Sequence, residues 1–277
     1  MWGSASLLSG LLCLAFGGLV MMLLVVSPLA AAELEPPPEG LDARELARRA
    51  EDAMRSSRTY TEAEMTVVSP RLSRPRVVAF RSWDDRPGKR SFIRILSPAK
   101  DAGSGFLKLH PNLWMFVPRV ERTLRIPPSM MLQPWMGSDF TNDDLVRESS
   151  ALDDYDHRLL GVDPEPAGHE GLRAYVIEYI PHEDAPVVWG KIVAWVETEH
   201  GSPLRQDFYD EDGEKLRSMR FGDIRAVDGR HVPFSWSMKP LDKEGHETRI
   251  QLGEIRFDIA IDDSVFTTRH LKKKERR

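Results

Sequence analysis

The spacing of apolar residues changes character twice along the chain. From Leu7 to Val26 they form an almost unbroken run. Between Asp42 and Ser56 they recur at helical spacing, at Leu46, Ala50, Ala53 and Met54, behind an Asp42/Glu45 capping pattern. One amphipathic helix over about 42–56 is therefore predicted. Beyond it the period drops to two, with Ala63, Met65 and Val67 set between Glu62, Glu64 and Thr66. Apolar runs of strand length follow at 77–83, 92–96, 106–109 and 113–117. The second half adds 175–180, 191–196, 205–209, 216–224, 232–238, 248–252 and 255–259. That makes roughly a dozen strands of ordinary length.

Turn chemistry separates these runs: Asp84-Asp85-Arg86-Pro87-Gly88, Asp210-Glu211-Asp212-Gly213, Asp228-Gly229 and Asp242-Lys243-Glu244-Gly245. Such steps suit the tight turns between antiparallel neighbours. The pattern predicts a mostly antiparallel, consecutively connected sheet with no second domain. Val232, Phe234, Trp236 and Met238 fall on one side of their strand, so one face is large and greasy. Leu113-Trp114-Met115-Phe116-Val117 is apolar on both sides and needs cover on each. The stretch from Ile126 to Leu160 breaks the alternation, with Pro127-Pro128 followed by Met130, Met131, Leu132, Trp135, Met136 and Phe140. It reads as a lid-like excursion packed on the sheet, with Thr141 or Asn142 capping a short helix through Val146.

Residues 1–32 contain no Lys, Arg, Asp or Glu and end in Ala30-Ala31-Ala32. They read as an export signal cleaved after Ala32 or, given a run near the ~20 residues of a membrane span, as a retained anchor. Either way residues 33–277 are expected to face the far side of the membrane. Pro36-Pro37-Pro38 makes residues 33–41 a stiff spacer, the domain covers 42–268, and 269–277 form a basic, solvated tail. The only cysteine, Cys13, lies in the export segment, which excludes a disulfide framework or cysteine metal site. The net charge of −5 argues against nucleic acid.

Catalytic signals are missing. Gly137-Ser138-Asp139 lacks the second glycine of a nucleophile elbow, and the Asp153, Asp154, Asp156, His157 cluster lacks the glycine and terminal glutamate of a calcium loop. No phosphate loop or dinucleotide fingerprint is present. No enzyme activity, metal or cofactor is expected. A hydrolase built on Ser138 is the competing enzymatic reading.

Gly103-Ser104-Gly105-Phe106-Leu107, Asn112-Leu113-Trp114-Met115-Phe116-Val117-Pro118, Arg122, Arg125-Ile126 and Met136-Gly137-Ser138-Asp139-Phe140 occur in that order, followed by Asp144-Leu145. With Asp262-Asp263-Ser264-Val265-Phe266-Thr267 near the end, they resemble the outer membrane lipoprotein-sorting, LolA-like family. The resemblance implies a mainly β fold: an incomplete antiparallel β-barrel, strongly curved, with an N-terminal helix and a short helical lid over an apolar concave face. It implies a monomeric periplasmic carrier of lipid or lipoprotein acyl chains between inner and outer membranes. The alternative is a non-enzymatic adaptor of an RND-type inner-membrane transporter. The side chains expected to line the cavity are Trp114, Phe116, Met131, Trp135, Met136, Phe140, Trp195, Phe234, Trp236 and Met238. Arg122 and Arg125 are expected to latch the lid through Asp139 or Asp144.

Overall fold

The computed structural model describes residues 33–146, 151–185 and 187–273. The expected export segment 1–32 and the last four residues of the expected basic tail lie outside the described residues. Helix α1 (Ala43–Met54) begins where the capping pattern places it, with the Asp42 side chain accepting from the Arg44 backbone N–H at 2.9 Å. Ala43, Leu46, Ala47, Ala50 and Ala53 make its buried stripe. Four of these five are alanines, so the helix can lie close against what it covers.

Thirteen strands follow: β1 (Arg58–Val68), β2 (Arg76–Asp85), β3 (Arg90–Ser97), β4 (Gly105–Leu109), β5 (Asn112–Val117), β6 (Arg122–Arg125), β7 (Tyr155–Asp163), β8 (Ala174–Pro181), β9 (Lys191–Glu197), β10 (Pro203–Tyr209), β11 (Lys215–Val227), β12 (Arg230–Pro240) and β13 (Glu247–Phe257). They form one sheet in the order β6-β5-β4-β3-β2-β1-β13-β12-β11-β10-β9-β8-β7, and the neighbouring pairs are antiparallel. The expected mainly β fold, an open and curved antiparallel barrel with few helices, is borne out.

This order has a topological consequence. The first and last strands meet in the middle, while β6 and β7, consecutive in sequence, lie at opposite edges of the sheet. The residues between them must cross one whole face. The face they cross is the apolar one, because strand alternation sends Met65, Val78, Phe80, Ile95, Phe106, Leu113, Val232, Phe234 and Ile250 to that side. Over strands β8 to β12 the same inner face is completed by Ile177, Tyr179, Ile192, Ala194, Val196, Phe208, Met219 and Met238, capped by α1.

The outer side of β3–β5 carries its own cluster of Phe92, Leu107 and Phe116 under Ile261, Phe266 and Leu271. The C-terminal helix α3 (Thr268–Leu271) is thus part of the fold, and Leu271 is fully buried. Leu271 thus departs from the expected solvated tail, while Arg269, Lys272 and Lys273 are exposed. The fully buried Arg94 holds the turn by donating to the backbone oxygens of Gly103 (2.7 Å), His270 (2.9 Å) and Leu271 (3.1 Å). At the other end the 33–41 spacer is pinned in part, since Glu35 exchanges backbone hydrogen bonds with Val162 of β7 at 2.8 and 2.9 Å.

Gly105 marks the closest approach of sheet and C-terminal turn. A Cβ there would lie 2.8 Å from Leu271 Cδ1 and 3.1 Å from Arg94 Nη1. Gly105→Ala should cost about 1–3 kcal/mol by overpacking. Thermal unfolding reads the loss, and faster proteolysis at the C-terminal turn locates it.

Candidate functional site: the inner face and the segment that crosses it

The crossing segment leaves β6 with Ile126 donating to the Leu113 carbonyl (2.9 Å), then turns inward at a compact loop. Trp135 N–H donates to Phe140 O at 2.7 Å, closing a ring around Met136, Gly137, Ser138 and Asp139. Two consecutive left-handed residues, Met136 (φ 52°) and Gly137 (φ 72°), make the bend. Glycine adopts that conformation freely, whereas methionine does so at a cost of about 1 kcal/mol. Arg76 of β2 helps hold it, donating from Nη1 to Met136 O at 2.6 Å while Nη2 reaches Asp101 at 2.8 Å.

The loop delivers Trp135 into the sheet. Its ring is 3% exposed and meets Phe80 and Phe106 edge-on at 5.9 and 5.5 Å between centroids. Met131, Met136 and Phe140 pack beside it against the same cluster, and Phe140 also touches the helix-covered half. Buried Ser138 is used up within the turn: Oγ donates to Trp135 O at 2.7 Å and accepts from the Phe140 N–H at 3.2 Å. His157, the histidine nearest to it in sequence, sits with Nε2 3.1 Å from the Ala151 carbonyl. Ser138 and His157 are thus each committed to a backbone contact of their own.

Beyond the loop two further ties fix the segment. Thr248 of β13, fully buried, donates to Asp139 Oδ2 at 2.7 Å and accepts from the Asp139 N–H at 2.9 Å. Helix α2 (Asn142–Val146) opens with a reciprocal cap, in which Thr141 N–H donates to Asp144 Oδ2 (2.7 Å) and Asp144 N–H donates to Thr141 Oγ1 (3.2 Å). The same Asp144 carboxylate accepts two bonds from Arg217 of β11, at 2.7 and 3.0 Å. Arg217 is buried and sandwiched against Trp189 (4.3 Å) and Phe208 (4.4 Å). Burial works to raise the Asp144 pKa, but the Arg217 pair and the Thr141 bonds outweigh it and hold the carboxyl below its ordinary value.

The three ties therefore step across the sheet, from β2 through β13 to β11. This corrects the expected latch. Arg122 is exposed and Arg125 bonds Asn112, so neither reaches Asp139 or Asp144, whose partners are Thr248 and Arg217. The edge strand carries both arginines away from the face that the carboxylates cross. Three cavity candidates also move. Trp114 and Phe116 pack on the outer face beneath the C-terminal turn, because the inward parity of β5 belongs to Leu113 and Met115. Trp195 faces outward, bonding Asp163 through Nε1 (2.9 Å) and stacking under Arg205, while Ile192, Ala194 and Val196 point in. Met131, Trp135, Met136, Phe140, Phe234, Trp236 and Met238 do gather on the inner side. Arg217 escaped the sequence reading although it left a trace: it shares parity with Met219 and Phe221, a charge written on an apolar face.

A groove of about 640 Å³ opens on the outer face, bordered by Glu64, His169, Arg220, Asp223, Arg249 and Gln251. Among the described residues no helix is long and apolar enough to cross a membrane.

Solved structures with the same fold span nearly their whole length on this chain. A DUF1329 family protein from Desulfovibrio piger superposes with a TM-score of 0.73 at 24% identity, covering 83% of this chain and 97% of its own. An outer membrane lipoprotein-sorting protein domain, so described, from Vibrio parahaemolyticus gives 0.71 at 22% identity, covering 83% and 98%. A LolA superfamily protein of Nitrosomonas europaea gives 0.68 at 19% identity, covering 83% and 99%. No curated protein matches the chain. A family model described as "Uncharacterized protein" matches residues 88–273. The chain belongs to that family, and its fold is that of the LolA-like, outer membrane lipoprotein-sorting proteins.

Proposed function

We propose that the protein is a non-enzymatic periplasmic carrier that shelters lipid or lipoprotein acyl chains between its sheet and the segment 126–154. The observation that carries this reading is the nature of the cover. The inner face is apolar, yet what lies over one half of it is an irregular, methionine-rich strap held by a few polar ties. Methionine repacks readily around irregular contents, and polar ties can be exchanged one at a time without unfolding the sheet. Displacing Met131, Met136 and Phe140 would open apolar surface of the kind an alkyl chain seeks. Burial of each methylene contributes about 0.8 kcal/mol, so a 16-carbon chain gains on the order of 12 kcal/mol before association and ordering costs. Those costs, and that of lifting the strap, keep such binding reversible.

The carrier reading predicts that residues 33–277, purified from a bacterial periplasm, release a stoichiometric lipid or acylated peptide in denaturing mass spectrometry. Trp236→Asp and the milder Met136→Gln, checked for an intact fold by circular dichroism, should carry several-fold less of it. A protein that is empty on isolation and stays empty after incubation with membranes would overturn the reading.

A further inference from the structure

The apolar side chains left on the surface are unevenly spread. Val120 is 60% exposed, Leu132 57%, and Leu124 and Met130 46% each, all within thirteen consecutive residues. Arg119, Arg122 and Arg125 are interleaved with them, against the single acid Glu121, in a chain whose net charge is −5. All three arginines are exposed, and Arg119 and Arg122 enter no ion pair among the described residues. Arg125 bonds the neutral Asn112 and keeps its charge.

The local fold presents this stretch outward. β6 is an edge strand, with β5 on one side only. Buried Ile126 and the partly buried Met131 point into the inner cluster, so the segment is anchored at two points while Leu124, Met130 and Leu132 are left outside on either side of those anchors. Soluble proteins seldom maintain such a combination of apolar and cationic surface without a partner for it. A protein strand added to β6 would find only four residues before Pro127 and Pro128 end the edge. A deformable anionic surface fits better: guanidinium groups meet phosphates while separate apolar side chains enter the interface.

We propose that residues 119–132 are a docking surface for an anionic phospholipid bilayer. This goes beyond the carrier reading and does not rest on it. Docked there, the protein would place the root of its crossing segment at the membrane, with only Gln133 and Pro134 between Leu132 and the Trp135 loop.

Residues 32–277 form one unit that holds the entire sheet and its three clusters, so this unit can be tested alone. It should co-sediment with phosphatidylcholine vesicles containing phosphatidylglycerol and far less with phosphatidylcholine alone, and added salt should weaken binding. The double variants Leu124→Ser/Leu132→Ser and Arg119→Glu/Arg122→Glu should each bind anionic vesicles roughly tenfold or more weakly. Their thermal unfolding and any co-purified lipid should be unchanged, which separates this surface from the inner face. Absence of binding to anionic vesicles, binding by the variants as tight as that of the parent protein, or a solution dimer that either variant dissociates would overturn the proposal.

Discussion

Asp144→Ala should destabilise the folded chain by about 3 kcal/mol, more than its place in a five-residue helix suggests. The substitution leaves the buried Arg217 guanidinium without its carboxylate and removes half of the Thr141 cap at the same time. Arg217 has aromatic rings on it but no second carboxylate within ion-pair distance among the described residues. Arg217→Met should cost less than Asp144→Ala, since it leaves a better solvated carboxylate and an apolar chain in an apolar place. The double variant should fall short of the sum by 1 kcal/mol or more, as coupled neighbours do. Arg125→Ala combined with Asp144→Ala should be additive. Chemical denaturation of the four proteins measures all of this, and additivity of the Asp144/Arg217 pair would remove the tie from the account.

The same pair sets a pH dependence of known sign. Asp144 is held below its ordinary pKa in the fold, so its contribution is present above the unfolded value, near 4, and is lost as pH falls through the lower folded value. Stability of the native chain should therefore decline below about pH 4, and in Asp144→Ala that component of the decline should be absent.

Trp135→Ala should have an effect of similar or greater size, about 3–5 kcal/mol, because a fully packed indole is removed from between Phe80 and Phe106. Trp135→Phe should cost much less. The indole Nε1 is buried with no hydrogen-bond partner among the described residues, so the phenyl ring gives up volume but no bond. Melting temperatures of the two variants test the difference. On the carrier reading the alanine variant also gains space under the strap, and added long-chain acyl ligand should raise its melting temperature more than that of the parent protein. Equal shifts would argue that Trp135 is a core residue and nothing more.

What could be read from the sequence was whatever depends on local period and turn chemistry. Helix α1 starts at the Asp42 cap that its sequence announces, and β12 places Phe234, Trp236 and Met238 on the apolar side as their even spacing requires. β6 and β7 were harder. Arg122-Thr123-Leu124-Arg125 has too few apolar residues to signal a strand, and Tyr155 to Leu160 was assigned to the excursion although β7 begins at Tyr155. Both are edge strands, half of whose surroundings are solvent, so alternation is weakly enforced there. Parity failed in β5 and β9 for the opposite reason. Both of their faces are apolar, and no sequence rule distinguishes the face under Trp135 from the face under Leu271. The ties of the crossing segment were hidden for a third reason. Asp139 and Thr248, or Asp144 and Arg217, lie 109 and 73 residues apart and meet only through the strand order of the whole sheet.

That strand order also governs how the chain can assemble. Eleven of the twelve neighbouring strand pairs are consecutive in sequence and joined by local connections, but the seam between β1 and β13 brings Met65 against Ile250, 185 positions later (250 − 65). A contact of such long loop is entropically late, and nothing can substitute for it, since each arm of the sheet has its open flank at that seam until the final strand arrives. The first arm, β1 to β6, can form hairpins while the remainder is still emerging. It cannot acquire its partner on the β1 side, and so cannot complete the sheet, before residue 247 is available.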